Sequence, residues 1–161
     1  MSVIKFYKVG DDFGQFSNFY RARITVDQQE FSSSEHYYQS KKFEGLGLED
    51  KVRRAKLCKQ AWHIGNSHPE KVRSDWAEMK KDEIMRIALF AKFTQHKHLR
   101  NLLLSTGDAE LAEDTSNDMY WGNGHNGKGL NRLGEMLMEL RFQLREQKEN
   151  GLNISLGLTK T

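Results

Sequence analysis

The sequence is poor in the residues that mark secreted and membrane proteins. It holds one cysteine, Cys58, among 161 residues. No disulfide can form within the chain, and a reducing, cytoplasmic setting is expected. It holds one proline, Pro69, which excludes a proline-rich linker. No apolar run approaches the ~18 residues that a membrane span needs. The start "MSVIKFYKVGDDFG" lacks the apolar core of a signal peptide, so no membrane partner is expected. Net charge is scarce too, at +3. That suits a phosphate-bearing ligand but gives little grip on a nucleic-acid backbone, so recognition would centre on one modified nucleotide. No internal repeat or low-complexity block is present.

What remains is an ordinary globular composition, 37% hydrophobic and 11% aromatic, enough for one core. A single compact domain is expected over residues 1–150. The end "GLNISLGLTKT" (151–161) reads as a loosely held tail.

"VIKFY" (3–7) and "ARITV" (22–26) read as short strands, with "DQQ" (27–29) turning the second back onto "EF". Helices are expected from residue 33. Ser32 and Glu35 have capping-box spacing ahead of "EHYYQSKKF". "EDKVRRAKLCKQAW" (49–62) reads as one helix stopped near Gly65. Ser67 and Glu70 repeat the start signal, and a helical period begins after Ser74. "HLRNLLLSTG" reads as a helix ended by Gly107. Leu133, Met136, Leu137, Leu140 and Leu144 form one apolar face, with Gly151 beyond it. The region 108–129 reads as short strand and glycine loop. The fold class is therefore mainly α, or α+β with a small N-terminal β element.

Two stretches carry chemistry. In "DMYWGNGHNGKGLNRLG" (118–134), G-x-x-x-x-G-K is complete at Gly122, Gly127 and Lys128. Gly129 stands where a Walker loop needs a magnesium-binding hydroxyl, and no parallel-sheet pattern surrounds it, so the Walker reading fails. Either the glycines only make turns, or their N–H groups at a helix start form an anion pocket beside Lys128. In "FSSSEHYYQSKKF" (31–43), Glu35, Gln39 and Lys42 fall at i, i+4 and i+7 on one helix face. A carboxylate, an amide and an amine then point the same way, unless Glu35 only caps Ser32 and Lys42 is a solvated surface charge. His36 is either a base or a hydrogen-bonded structural residue. "HKH" (96–98) diverges on a helix and makes no metal site. Trp62 and Trp76 suit packing, and Cys58 has no evident catalytic partner.

"FSNFY" (16–20), "FSSSEHYYQSKKF" (31–43), Trp76, Met85, Lys92–Phe93, "LLSTGDAELAEDTSNDMYWGNG" (103–124) and "GLNRLGEMLMELR" (129–141) occur in this order. Together they resemble the NADAR family over residues 4–145. The family includes YbiA-like N-glycosidases of riboflavin-pathway intermediates, and members that remove ADP-ribose from guanine in nucleic acid. The resemblance implies a multihelical fold and cleavage of the N-glycosidic bond between (ADP-)ribose or phosphoribose and an amine-bearing base. Carried onto this chain, it implies Glu35, Lys42 and Asp118 as catalytic residues. It implies Asn18, Gln39, Trp76, Trp121, Gly122, Gly124, Lys128 and Asn131 as substrate-binding residues.

The chemistry fits those residue types. Loss of a base builds positive charge at C1′, which a carboxylate stabilises while a second acid serves the leaving nitrogen. Glu35 and Asp118 can divide those roles, which asks both segments to border one pocket. A Lys42 amine of lowered pKa can instead form a Schiff base at C1′ of an opened ribose. The tryptophans offer stacking faces. The reading needs no metal, no cofactor and no obligate protein partner. ADP-ribosylated guanine is the expected substrate, including in nucleic acid. Phosphoribosyl-amino-pyrimidines are the alternative, as is a non-catalytic ADP-ribose or nucleotide reader.

Overall fold

The computed structural model describes residues 2–151, so the expected tail beyond Gly151 lies outside the described residues. The chain divides into two compact units. One is formed by Asn18–Gln95, the other by the residues up to Ser17 with those from His96 onward.

The Asn18–Gln95 unit opens with the expected hairpin. Strands β2 (Ile24–Val26) and β3 (Gln29–Phe31) pair antiparallel. Asp27 and Gln28 turn between them with φ of 49° and 65°, the left-handed pair that matches strand twist in a two-residue loop. Four helices follow: α1 (Ser34–Lys41), α2 (Gly47–Arg53), α3 (Cys58–Ser67) and α4 (Lys81–Gln95). A five-residue π-helix, Trp76–Lys80, leads into α4. Gln95 at the end of α4 clamps β2, accepting from the Thr25 N–H (2.8 Å) and donating to Thr25 O (2.7 Å).

Helix α1 packs against α2, α3 and α4, and every residue from Ser34 to Lys41 is buried. Its apolar side is Tyr37 and Tyr38. Tyr37 meets Phe31 edge-on at 5.0 Å. Phe43, Val52 and Ala61 form a core cluster between α1, α2 and α3. The remaining buried side chains of α1 are polar, so burial there is tolerated only through hydrogen bonds.

Three expectations are corrected in this unit. The cap of α1 is Ser33, one residue later than Ser32, and its Oγ accepts from the His36 N–H. Glu35 is therefore not a reciprocal capping residue. The single helix expected over 49–62 is two, because the carbonyls that would continue it are taken elsewhere. Ala55 O faces His36 Nε2 (2.9 Å) and Lys56 O accepts from Arg21 (2.9 Å). Helix α3 also runs through Gly65 to Ser67, so Ser67 ends a helix instead of starting one.

In the other unit, β1 (Val3–Phe6) pairs parallel with β4 (Glu110–Glu113), Val3 opposite Glu110 and Phe6 opposite Glu113. The N-terminal segments therefore form no common β element: β1 and the β2–β3 hairpin belong to separate sheets. Helix α5 (Lys97–Ser105) precedes β4, and α6 (Arg132–Asn150) follows a long glycine loop. Leu133, Met136, Leu137, Leu140 and Leu144 are buried along α6 as their spacing predicts, and Gly151 closes the helix with φ 64°. Helix α6 lies so close to β4 that a Cβ at Gly134 would overlap Leu111 O. The buried Arg141 guanidinium donates to Thr106 Oγ1 and Ala109 O, both at 2.8 Å.

Lys92 on α4 is 0% exposed, its ammonium against the rings of Tyr20 (5.7 Å) and Phe93 (5.4 Å). Burial pushes its pKa down to about 7. Between that value and the unfolded value near 10.4, the unfolded chain binds a proton that the native protein does not. Stability therefore rises with pH across this window, by at most about 1.4 kcal/mol per pH unit from this group. Burial lowers the Lys42 pKa as well, with the same sign. The buried Tyr37 hydroxyl is shifted upward, so stability turns down above pH about 10, where the unfolded tyrosine ionises. The expected result is a urea midpoint that climbs from pH 7 to about 9.5 and a shallower climb in Lys92→Met. An equal climb in both proteins would remove Lys92 as its source.

Candidate active site

The polar face of α1 is the candidate site. Ser33 and Asn18 set where that helix begins. Ser33 Oγ meets His36 Nδ1 at 2.7 Å, and the Cys58 thiol donates to it at 3.2 Å. With Nε2 donating to Ala55 O, the His36 ring is a neutral strut, and burial lowers its pKa. Burial raises the Cys58 pKa, so the thiol stays protonated and unreactive near neutral pH. Asn18 O accepts from the Glu35 N–H (3.2 Å), and Asn18 Oδ1 accepts from Ser34 Oγ (2.8 Å). Among the described residues its Nδ2 meets a soft acceptor, Met85 Sδ at 3.3 Å, which leaves donor capacity for a ligand.

Glu35 is 6% exposed. Its Oε1 accepts from Gln39 Nε2 at 2.8 Å, one helical turn on. Lys42, at the C-cap, is also buried. Its Nζ donates to Gly65 O (3.3 Å) and lies over the rings of Tyr38 (5.8 Å) and Trp76 (6.0 Å). Burial lowers the Lys42 pKa and the Glu35 charge opposes that shift. Asn18, Glu35, Gln39, Lys42 and Trp76 thus belong to one neighbourhood. Chemically it offers a carboxylate held by Gln39 and, on the same helix face, an amine whose pKa burial lowers.

Trp76 stands here as a wall for Lys42 and a partner of Tyr38, the rings 5.0 Å apart. It is 8% exposed, so little of its face is left for stacking. It opens the π-helix before α4, a local widening of the helix that is frequent at functional sites.

Asp118, Trp121, Gly122, Gly124, Lys128 and Asn131 belong to the other unit, in the loop between β4 and α6. Asp118 Oδ1 accepts from the N–H groups of Tyr120 (2.9 Å) and Trp121 (2.8 Å), an Asx turn that shapes the loop. Trp121 is half-buried and meets Tyr120 edge-on at 4.9 Å. The Leu130 and Asn131 N–H groups donate to Met119 O and Gly122 O. Those of Arg132 and Leu133 donate to Tyr120 O and Trp121 O. The amides of Leu130 to Leu133, leading into α6, are thus spent inside the loop. Asn131 straps β4, its side chain donating to Leu111 O (2.8 Å) and accepting from the Glu113 N–H (3.0 Å). Lys128 is exposed. Among the described residues no group of three or more His, Cys, Asp or Glu could hold a metal ion.

Reasoning from the sequence missed Gly65 and Ser33 at this site. A glycine inside a helical pattern is the signal that could have found Gly65, since helices give up stability to keep one.

The sequence pattern of the NADAR domain matches residues 5–145. The chain is 47% identical over 147 residues to the N-glycosidase YbiA of Shigella flexneri serotype 5b, covering 91% of each protein. It is 41% identical over 143 residues to a riboflavin biosynthesis protein of Vibrio vulnificus, covering 89% of this chain and 39% of that one. The NMR structure of the Escherichia coli protein YbiA is similar at a TM-score of 0.84 and 43% identity, covering 97% of this chain and 91% of that one.

Proposed function

This chain belongs to the NADAR domain family, and from that premise we propose that it is an N-glycosidase. Its reaction is hydrolysis of the bond between C1′ of a phosphorylated ribose and an amine-bearing base. The observation that carries the reading is the buried Glu35 carboxylate, oriented by Gln39 and electrostatically linked to Lys42. As the C1′–N bond breaks, positive charge grows on the sugar ring. A fixed carboxylate in a poorly solvated site stabilises that charge far better than water does. Water then adds to C1′ and the leaving nitrogen takes a proton. Asp118 enters this reading through its motif, as the acid for that nitrogen.

A second reading gives Lys42 the covalent role. Burial lowers its pKa, which favours the neutral, nucleophilic amine. The amine would add at C1′ as the base leaves with the C1′–N electron pair and one amine proton. Breaking the ring C1′–O4′ bond, with O4′ taking the second amine proton, then gives an imine that water hydrolyses to free the amine and the sugar.

For the substrate we propose ADP-ribosylated guanine. Phosphoribosyl-amino-pyrimidines form the competing class, supported by the riboflavin biosynthesis name of the Vibrio vulnificus relative. Both join ribose to an amine on a heterocycle, so one site chemistry serves either. The test supplies purified protein with each in turn and measures free ADP-ribose or ribose 5-phosphate by mass spectrometry. Release of ADP-ribose, unchanged by EDTA, is expected. Release of ribose 5-phosphate alone would move the assignment to the pyrimidine. Release of neither sugar, with retained ADP-ribose binding, would leave a reader and not an enzyme. Loss of turnover in EDTA with restoration by zinc or magnesium would overturn the metal-free mechanism.

A further inference from the structure

We propose that Gly65 is a positioning residue for the row Glu35, Gln39 and Lys42, an inference that rests on the N-glycosidase reading. Gly65 touches two members of the row by different means. A Cβ at Gly65 would overlap Gln39 Oε1 and crowd Gln39 Cδ. The space where any other residue carries a side chain is the space the Gln39 amide occupies. The Gly65 carbonyl is also the acceptor for Lys42 Nζ, at 3.3 Å. It is available because Gly65 lies in the last turn of α3, where carbonyls have no partner within the helix. That end of a helix carries partial negative charge, which favours an ammonium.

Gln39 shows why the contact matters. It is 3% exposed, and among the described residues its buried Oε1 has no hydrogen-bond partner. A buried acceptor left unmatched costs stability, and here it is the counterpart of turning Nε2 onto Glu35. Reversing the amide would set its oxygen against the Glu35 carboxylate. The bare α-carbon of Gly65 lets the oxygen lie against α3, so that the N–H side faces Glu35. Helix α3 thus controls the carboxylate through Gln39 and the amine directly. A glycine in a helix is otherwise a loss, since alanine is the better helix former.

The test uses the full chain carrying Gly65→Ala, Gln39→Ala and both together. If the methyl acts through Gln39, Gly65→Ala lowers kcat by about 10-fold or more, as displacements of catalytic groups do. KM then stays within about threefold, and the melting temperature within about 4 °C. Gln39→Ala removes the group the methyl strikes, so the double variant is no slower than Gln39→Ala alone. The second readout needs no turnover. The Lys42 titration, followed by NMR on 13C-methylated lysines, moves by about 0.5 pH unit or more in Gly65→Ala, because its environment has shifted.

Wild-type kcat with an unmoved Lys42 titration in Gly65→Ala overturns the proposal, as does an additive loss in the double variant. If Gly65→Ala fails to fold, the double variant decides. A folded double variant behaving like Gln39→Ala supports the proposal, and an unfolded one overturns it. A protein that cleaves neither substrate class would end the N-glycosidase reading, while the titration would still judge Gly65.

Discussion

Glu35→Gln lowers turnover by at least about 100-fold, the lower range for a group in acid–base or charge-stabilising roles. The variant unfolds within about 2 kcal/mol of wild type, because its side chain retains its size and an oxygen acceptor for Gln39 Nε2. The helix start is not at stake, since Ser33 and not Glu35 makes the cap contact. What disappears is one negative charge in a buried site. The first consequence falls on the reaction, where nothing then balances the charge growing at C1′. The second falls on Lys42, whose pKa loses the influence that raises it and moves further down. Single-turnover kinetics with a denaturation curve on the same sample checks the turnover and the stability. Binding of ADP-ribose is expected to persist. Full turnover in a folded Glu35→Gln protein would remove Glu35 from the chemistry and leave Lys42 and Asp118 as candidates.

Lys42→Met also lowers turnover by about 100-fold or more, and it separates the two mechanistic readings. Methionine keeps an unbranched stem, and its sulfur packs well against the rings of Tyr38 and Trp76. The variant gives up the donor to Gly65 O and the cation beside Glu35, while the cost of burying an ammonium also goes. Those changes oppose one another, so the melting temperature is expected to stay within about 5 °C. The decisive measurement is trapping. With substrate and cyanoborohydride, the imine route leaves a sugar adduct on the wild-type peptide that carries Lys42, and none in Lys42→Met. Loss of turnover without any wild-type adduct would end the imine route and leave Lys42 an electrostatic role. Undiminished turnover in Lys42→Met would end both.

Periodicity and turn chemistry made much of the fold legible. The leucine and methionine stripe of α6 is a local pattern, and burial follows it residue by residue. The hairpin turn at Asp27–Gln28 lies between two short apolar runs and is equally local. The pairing of β1 with β4 is not, because nothing in Val3–Phe6 names a partner more than a hundred residues away. The break between α2 and α3 was hidden for a related reason. No glycine or proline marks Arg54–Leu57, and the carbonyls there are claimed by His36 and Arg21 from outside the segment. Of the three consecutive serines, 32–34, Ser32 has the capping-box spacing to Glu35, yet Ser33 is the cap. Ser33 is chosen because its hydroxyl serves the His36 amide, the His36 ring and the Cys58 thiol together.

At the site, the helical spacing of Glu35, Gln39 and Lys42 was legible, since three offsets define one face. That the face is buried was not, because charged helix faces are usually solvated. Gly65 read as a helix stop because a glycine's commonest use hides its rarer one, the approach of a neighbouring side chain.

The parallel pairing of β1 with β4 also sets an order of events during synthesis. Val3–Phe6 leave the ribosome well before their partner Glu110–Glu113, which is made only after the whole of Asn18–Gln95. At about 5–20 residues per second, the first strand waits several seconds with its backbone groups unpaired. The unit made between them is continuous in sequence and can close its hairpin and helices within that interval. The slow, entropically costly closure is then the last, because it joins segments far apart along the chain.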